Sequence, residues 1–212
     1  MSTSVSIQDI LGHSPASPIV RECLSYINQQ SNASDPPQID SPEVKAYSDA
    51  VYFNYYALGL SLMFAPTKGY KPSTGTRREQ LKDDCLELSS VDIYNTPKST
   101  ETKSKTAEVA FSTFPASPIV LSLATSTPED KDRPQSMSVT HETIGQDFVV
   151  SLGEPARKGG GSGPSSGSIG IWCEWTKDGI MVEFGGQEAR GPQAWERGKD
   201  AGWRVITIFA PK

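Results

Sequence analysis

Val51-Tyr-Phe-Asn-Tyr-Tyr-Ala-Leu-Gly-Leu-Ser-Leu-Met-Phe64 lies over Ile171-Trp-Cys-Glu-Trp-Thr-Lys-Asp-Gly-Ile-Met-Val-Glu-Phe184 without a gap, at an offset of 120. Tyr52 meets Trp172, Tyr55 meets Trp175, Gly59 meets Gly179 and Phe64 meets Phe184. Leu60 and Leu62 meet Ile180 and Val182. In both stretches aromatic and β-branched residues flank a glycine, the pattern of a β-hairpin. Leu58-Gly59 and Asp178-Gly179 are the expected turn dipeptides, because a tight turn needs left-handed backbone. Val91-Asp-Ile-Tyr94 and Ile206-Thr-Ile-Phe209 correspond at an offset of 115 and read as a third strand after each hairpin.

A helix is expected before each hairpin. Ile19, Val20, Cys23, Leu24 and Ile27 have helical spacing. Ser17 can cap that helix, and Pro18 then occupies its first position, where a missing N–H costs nothing. Ile144, Phe148 and Leu152 share one face of a second helix. Thr143 and Gln146 have capping-box spacing at its start, and Gly153 and Pro155 stop it. The chain therefore reads as an α+β protein of two tandem helix–β–β–β units, with antiparallel sheets and helices packed on one face. The first unit covers residues 1–97 and the second 107–212, joined by a polar, lysine-rich linker or loop at 98–106. Residues 28–43, 65–83, 124–138 and 156–168 read as long loops, the last a Gly/Ser connector. Pro15-Ala-Ser-Pro-Ile-Val20 recurs as Pro115-Ala-Ser-Pro-Ile-Val120 outside this register, by chance or as a shared start signal for a helix or a strand.

Composition bounds the function. Of 212 residues 36% are hydrophobic, with 18 Gly and 16 Pro, which implies a modest core and long loops. A run of 18 apolar residues is absent, which excludes a membrane-spanning helix. The opening Met1–Asp9 has neither the basic start nor the apolar run of a secretory signal, so a cytoplasmic location is expected. A net charge of −5 lacks the basic footprint of a nucleic-acid binder. Cys23, Cys85 and Cys173 are odd in number and lack metal-ligand spacing, which predicts reduced thiols and no metal. The loop 157–168 runs from helix to strand with its lysine first, unlike a phosphate-binding Walker loop, and no cofactor is expected.

Strand alternation sorts the side chains by face. Val51, Phe53 and Tyr55 point inward with Leu60, Leu62 and Phe64, as do Ile171, Cys173 and Trp175 with Ile180, Val182 and Phe184. The opposite face carries Tyr52, Asn54, Tyr56, Ser61 and Met63 in the first hairpin. In the second it carries Trp172, Glu174, Met181 and Glu183. A wet sheet face should be polar, yet these faces hold aromatics and methionines, the residues enriched where proteins meet proteins. The same face has a second reading. Glu174 and Glu183 lie on neighbouring strands, and two carboxylates can do general acid–base work, with His141 near the start of the second helix as a further candidate. Trp195, in a Gly- and Pro-containing stretch, either anchors a loop or makes an exposed contact.

The Leu152-Gly-Glu-Pro155 stop, the aromatic strand Ile171–Trp175 and the strand Gly179-Ile-Met-Val-Glu-Phe184 resemble one unit of the fold shared by the β-lactamase inhibitory protein and the SmpA/OmlA outer-membrane lipoproteins. In those families a helix ends in Leu-Gly-x-Pro, an aromatic strand follows a loop, and a glycine-led alternating strand ends in Phe. The resemblance covers about 70 residues of the second half. The first half shares the hairpin and third strand but lacks Leu-Gly-x-Pro. The resemblance implies two units in tandem and a concave sheet face, bearing aromatics, that binds a target. The lipoproteins' lipobox is absent here, so their periplasmic role is not implied.

Two functions are carried forward. The first is a noncatalytic binding or adaptor protein that holds a protein partner on Tyr52, Asn54, Tyr56, Met63, Trp172, Glu174, Met181 and Glu183, a face that could also serve self-association. The second is a small-molecule enzyme or carrier with a sheet-and-loop pocket, using Glu174, Glu183 and His141.

Overall fold

The computed structural model describes residues 6–31, 39–96, 111–125, 133–161 and 170–212. The expected linker 98–106 and most of the Gly/Ser connector lie outside them. The fold is α+β, with three helices and ten strands among the described residues. The chain divides into two compact units, Met1–Ala116 and Ser117–Lys212.

The first unit is a helix followed by a four-stranded antiparallel meander. Helix α1 spans Pro18–Gln29 and buries Val20, Cys23, Leu24 and Ile27. Pro18 opens it as expected, but the Ser17 hydroxyl makes no cap bond and instead lies 3.4 Å from His13 Nδ1. The strands are β1 (Glu43–Ala46), β2 (Val51–Tyr55), β3 (Leu60–Pro66) and β4 (Leu86–Tyr94). They pair in that order. Val51, Phe53, Leu60, Leu62, Phe64, Leu88, Val91 and Ile93 are buried along the inner face. Phe53 packs on Phe64 with centroids 4.9 Å apart. A bulge in β4 sets Met63 against Ser90 and Phe64 against Leu88, so Ser89 is extra. Residues 111–114 also belong here. The Ser112 N–H donates to the Tyr56 carbonyl at 2.8 Å, and the Phe114 N–H to the Tyr94 carbonyl at 2.9 Å.

The second unit opens with a short hairpin, β5 (Ile119–Ser122) and β6 (Ser136–Val139). Helix α2 (Gly145–Leu152) follows, then β7 (Arg157–Gly159), β8 (Trp172–Trp175) and β9 (Ile180–Phe184). The short helix α3 (Ala194–Arg197) precedes β10 (Trp203–Phe209). Strands β7 to β10 pair antiparallel in sequence order. Phe148 of α2 is fully buried against Trp175 and Phe184, at 6.4 and 6.0 Å between centroids. The Trp175 indole N–H donates to the Gly153 carbonyl at 2.8 Å, tying the helix stop to the hairpin.

Asp178 holds the second unit together from inside the hairpin turn. Its carboxylate is fully buried and accepts both terminal nitrogens of Arg133, at 2.9 and 2.6 Å, and the Ala124 N–H at 2.8 Å. The same guanidinium donates to the carbonyls of Ala124 and Leu152. One ion pair thus joins the hairpin turn, the chain after β5 and the end of α2.

Four expectations change. Each unit has a four-stranded sheet, because β1 and β7 join as edge strands. Both are short and charged, the composition that discourages edge-to-edge pairing, and so they carry little apolar pattern. β7 also takes Arg157–Gly159 out of the expected connector, and β6 (Ser136–Val139) takes residues 136–138 out of the expected loop. The cap of α2 is shifted by one residue. Asp147, not Gln146, reaches back to accept the Ile144 N–H at 2.9 Å, while the Thr143 hydroxyl accepts from the Thr140 N–H. Finally, each hairpin turn is a 3-10 turn, Tyr56–Leu58 and Thr176–Asp178, in which only the closing glycine is left-handed, with φ of 58° at Gly59 and 64° at Gly179. A Cβ at Gly59 would run into the Ser112 carbonyl, and one at Gly179 into that of Phe209.

Candidate functional site

The outer face of the first sheet is built row by row from strand register. One row places Glu43, Asn54, Ser61 and Asp92 side by side, and the next places Lys45, Tyr52, Met63 and Ser90. The Ser61 hydroxyl donates to Asn54 Oδ1 at 2.8 Å, a buried bond that gives the face a polar floor. Around this floor stand aromatic walls. Tyr94 stacks on Phe111 with centroids 3.8 Å apart and planes 2° from parallel, and Tyr56 packs on Phe111 at 4.5 Å. The Thr96 hydroxyl donates to the Phe111 carbonyl at 2.6 Å and that of Thr113 to the Thr96 carbonyl at 2.7 Å, which fixes the segment carrying Phe111. At the other end Tyr47, which is 45% exposed, meets Tyr52 edge-to-face at 6.2 Å.

Together these groups enclose a groove of about 520 Å³. Tyr47, Tyr52, Tyr56, Tyr94 and Phe111 line it, with Asn54 and Ser61 beneath and Lys45, Asp49 and Asp92 as its charges. Burial raises the Tyr52 phenol above its ordinary range, and the nearby carboxylates of Asp92 and Asp49 raise it further. The Tyr56 hydroxyl donates to Glu43 Oε1 at 3.2 Å. A hydrogen bond with Tyr56 also raises the Lys45 ammonium, with Glu43 at 3.9 Å contributing less.

Of the first-hairpin residues singled out in the sequence, Tyr52, Asn54 and Tyr56 line the groove. Met63 lies beside Tyr52 but outside the lining. Sequence reasoning missed Tyr47, Asp49, Asp92, Tyr94 and Phe111. Tyr94 and Asp92 follow from carrying the same alternation into β4. Phe111 has no such signal, since its position depends on the Thr96 hydroxyl's bond to its carbonyl and on the bond from the neighbouring Ser112 N–H to the Tyr56 carbonyl.

The outer face of the second sheet is different in kind. Trp172 pairs with Glu183 and Glu174 with Met181, so the two carboxylates are diagonal neighbours rather than opposite one another. Each is committed to its own arginine, Glu174 to Arg157 at 3.2 Å and Glu183 to Arg204 at 3.4 Å. Glu174 also accepts from the Thr176 hydroxyl at 3.0 Å. The Arg157 guanidinium lies 5.9 Å from the Trp172 ring centre. The half-buried His141 sits in the turn between β6 and α2. Trp195 is 42% exposed, with the Lys158 ammonium 5.8 Å from its ring centre.

A second hollow in the first unit, about 450 Å³, lies over the inner-face residues Phe53 and Tyr55 beside Leu24 of α1. Its rim carries the exposed pair Arg21–Asp40 at 3.4 Å and Arg78, which is held in two bonds by Asp83 and lies 4.9 Å over the Phe53 ring. The thiols of Cys23 and Cys173 are inward-facing. Burial pushes both up to about 11, which leaves them poor nucleophiles. Among the described residues no cluster of His, Cys, Asp and Glu could hold a metal ion, and no helix is long and apolar enough to cross a membrane. Comparison with protein-family models, with curated proteins and with solved structures gave no match.

Proposed function

We propose that this is a noncatalytic binding protein that holds a protein partner on the outer face of its sheet, with the aromatic groove of the first unit as the contact. The observation that carries the reading is the groove itself: five aromatic side chains around a hydrogen-bonded Asn54–Ser61 floor. Rigid aromatic area over a polar base is the composition of binding hot spots. Arginine pairing of Glu174 and Glu183 gives the acid–base alternative no poised carboxylate pair. The resemblance to the β-lactamase inhibitory protein fold, which binds its target on a concave sheet face bearing aromatics, points the same way.

We read the two units as copies of one helix-plus-sheet element. Support comes from the hairpins, whose registered pairs Tyr52–Met63 and Trp172–Glu183 correspond at an offset of 120. The third strands bond to equivalent glycines, Tyr94 N–H to the Gly59 carbonyl at 2.9 Å and Phe209 N–H to that of Gly179 at 2.8 Å.

Affinity purification from native lysate tests the function. Wild type runs beside Tyr52→Asp and Trp172→Asp variants whose far-UV circular dichroism is unchanged. A specific partner retained by wild type and Trp172→Asp, and lost by Tyr52→Asp, is expected. Capture that ignores Tyr52→Asp refutes the assignment of the face.

A further inference from the structure

The floor of the groove holds an unused donor. Asn54 is only 7% exposed and lines the groove from below. Its Oδ1 accepts the Ser61 hydroxyl at 2.8 Å, which leaves Nδ2 as the free end of the amide. Among the described residues none accepts from the two N–H groups of that nitrogen. A buried amide donor is costly to leave unpaired, and this one meets an acceptor from the groove side. Tyr52 precedes Asn54 by two residues on β2, so both side chains share the outer face with Cα atoms about 6.6 Å apart. Tyr47 meets Tyr52 edge-to-face at 6.2 Å and is itself exposed, so its ring is reachable from solvent. The Tyr47 N–H donates to the Ala50 carbonyl at 2.8 Å, which fixes the turn that carries this ring. The three groups are thus placed by the β1–β2–β3 register and its turn.

Two ring surfaces beside one donor select a segment with compact apolar faces and free carbonyls. Proline-rich chain meets both conditions. The proline ring packs on aromatic surface, it brings no N–H to a floor that already donates, and the polyproline II conformation leaves the carbonyls without internal bonds. That conformation is preformed, so docking orders little chain. It advances about 3.1 Å per residue against about 3.3 Å for a strand. A segment running along β2 therefore sets a proline ring on Tyr52 and a carbonyl over Asn54 two residues on. A helix would arrive with its carbonyls already bonded, and a lysine or arginine side chain would bring donors to a donor.

We propose that the Tyr47–Tyr52–Asn54 side of the groove takes a proline-rich segment of the protein partner in the polyproline II conformation, with a proline ring against the tyrosines and a backbone carbonyl accepting from Asn54 Nδ2. This rests on the partner-face reading and specifies the partner's chemistry.

The test follows the whole isotope-labelled protein by NMR during titration with octaproline and, separately, with a Gly-Ser octamer. Octaproline should shift the Asn54 side-chain amide resonances and slow the exchange of those protons. The Gly-Ser octamer, without rings or a preformed conformation, should bind about tenfold more weakly. Asn54→Asp keeps an acceptor for Ser61 and removes the donor, so octaproline affinity should fall about fivefold, the worth of one hydrogen bond. Tyr47→Leu, at an exposed position, should weaken binding several-fold and serves if Asn54→Asp fails to fold. No binding of octaproline, equal binding of the two peptides, an unmoved Asn54 amide, or an affinity indifferent to the folded variants overturns the proposal. A native partner captured through Tyr52 that excess octaproline does not displace overturns it while leaving the partner-face reading intact. That reading fails separately, when Tyr52→Asp leaves native partner capture unchanged.

Discussion

Removing the Asp178 carboxylate tests how the second unit is held. In Asp178→Ala the Arg133 guanidinium keeps the carbonyls of Ala124 and Leu152 but loses two charge-assisted bonds and its counterion. Arg133 is 10% exposed and Asp178 not at all, so water cannot replace the lost partner without opening the site. Breaking a buried pair on one side costs about 3–5 kcal/mol, because a charge is left buried alone. The Ala124 N–H also loses its acceptor. In a unit of this size each kcal/mol moves the melting midpoint by about 4–8 °C, so the midpoint should fall by well over about 10 °C. All four tryptophans, at 172, 175, 195 and 203, belong to the second unit, so tryptophan fluorescence during urea unfolding reads this unit selectively. Arg133→Met/Asp178→Leu removes both charges and fills the space, and it should lie much closer to wild type than Asp178→Ala. A cost below about 1 kcal/mol for Asp178→Ala, or a double variant no better than the single one, would refute the buried-pair argument.

Three further outcomes are expected. Gly59→Ala and Gly179→Ala each force a side chain into left-handed backbone and onto a carbonyl, so each should destabilise its unit by more than about 1–2 kcal/mol in chemical denaturation. A neutral result at both sites would contradict the turn geometry. With their pKa values raised to about 11, Cys23 and Cys173 hold little thiolate at pH 8, and a thiol reagent there should label the less buried Cys85 first. The buried two should react later, as pH rises toward 11 or on unfolding; simultaneous labelling at pH 8 would contradict their burial. Glu183→Gln removes a part-exposed ion pair and should change stability by less than about 1 kcal/mol in the same urea assay; a larger loss would make that pair a structural element.

The segments legible in the sequence were those that pack. The hairpins and third strands bury strict alternations of large apolar residues, and α1 and α2 bury stripes at helical spacing, so pattern and structure share one cause. The edge strands were not legible, because each is short and carries charged residues, Glu43 and Lys45 in β1 and Arg157 and Lys158 in β7, so little apolar pattern marks them. Pro-Ala-Ser-Pro-Ile-Val marks the limit of local reading: at 15–20 it opens helix α1, and at 115–120 it leads into strand β5. The residues that follow differ, Arg-Glu-Cys-Leu within the helix and Leu-Ser-Leu-Ala, of which Leu121 and Ser122 end the strand. Parity placed Tyr52, Asn54 and Tyr56 on the outer face. It could not place Phe111, which arrives through side-chain bonds, nor Arg133 on Asp178, a pair 45 residues apart. Glu174 and Glu183 looked like a pair by parity, but parity is blind to the arginines at 157 and 204 that each one meets.

The most direct measurement is site-specific photocrosslinking in native lysate, with benzoylphenylalanine placed at Tyr47 on the groove rim or at Tyr26 on helix α1. Both positions are exposed, at 45% and 40%, so accessibility alone cannot separate them. The account predicts a discrete crosslink to one protein from Tyr47, absent from Tyr26 and suppressed by Tyr52→Asp in the same chain. Equal crosslinking from both positions, or a Tyr47 crosslink indifferent to Tyr52→Asp, would contradict the claim that the aromatic groove is the binding face.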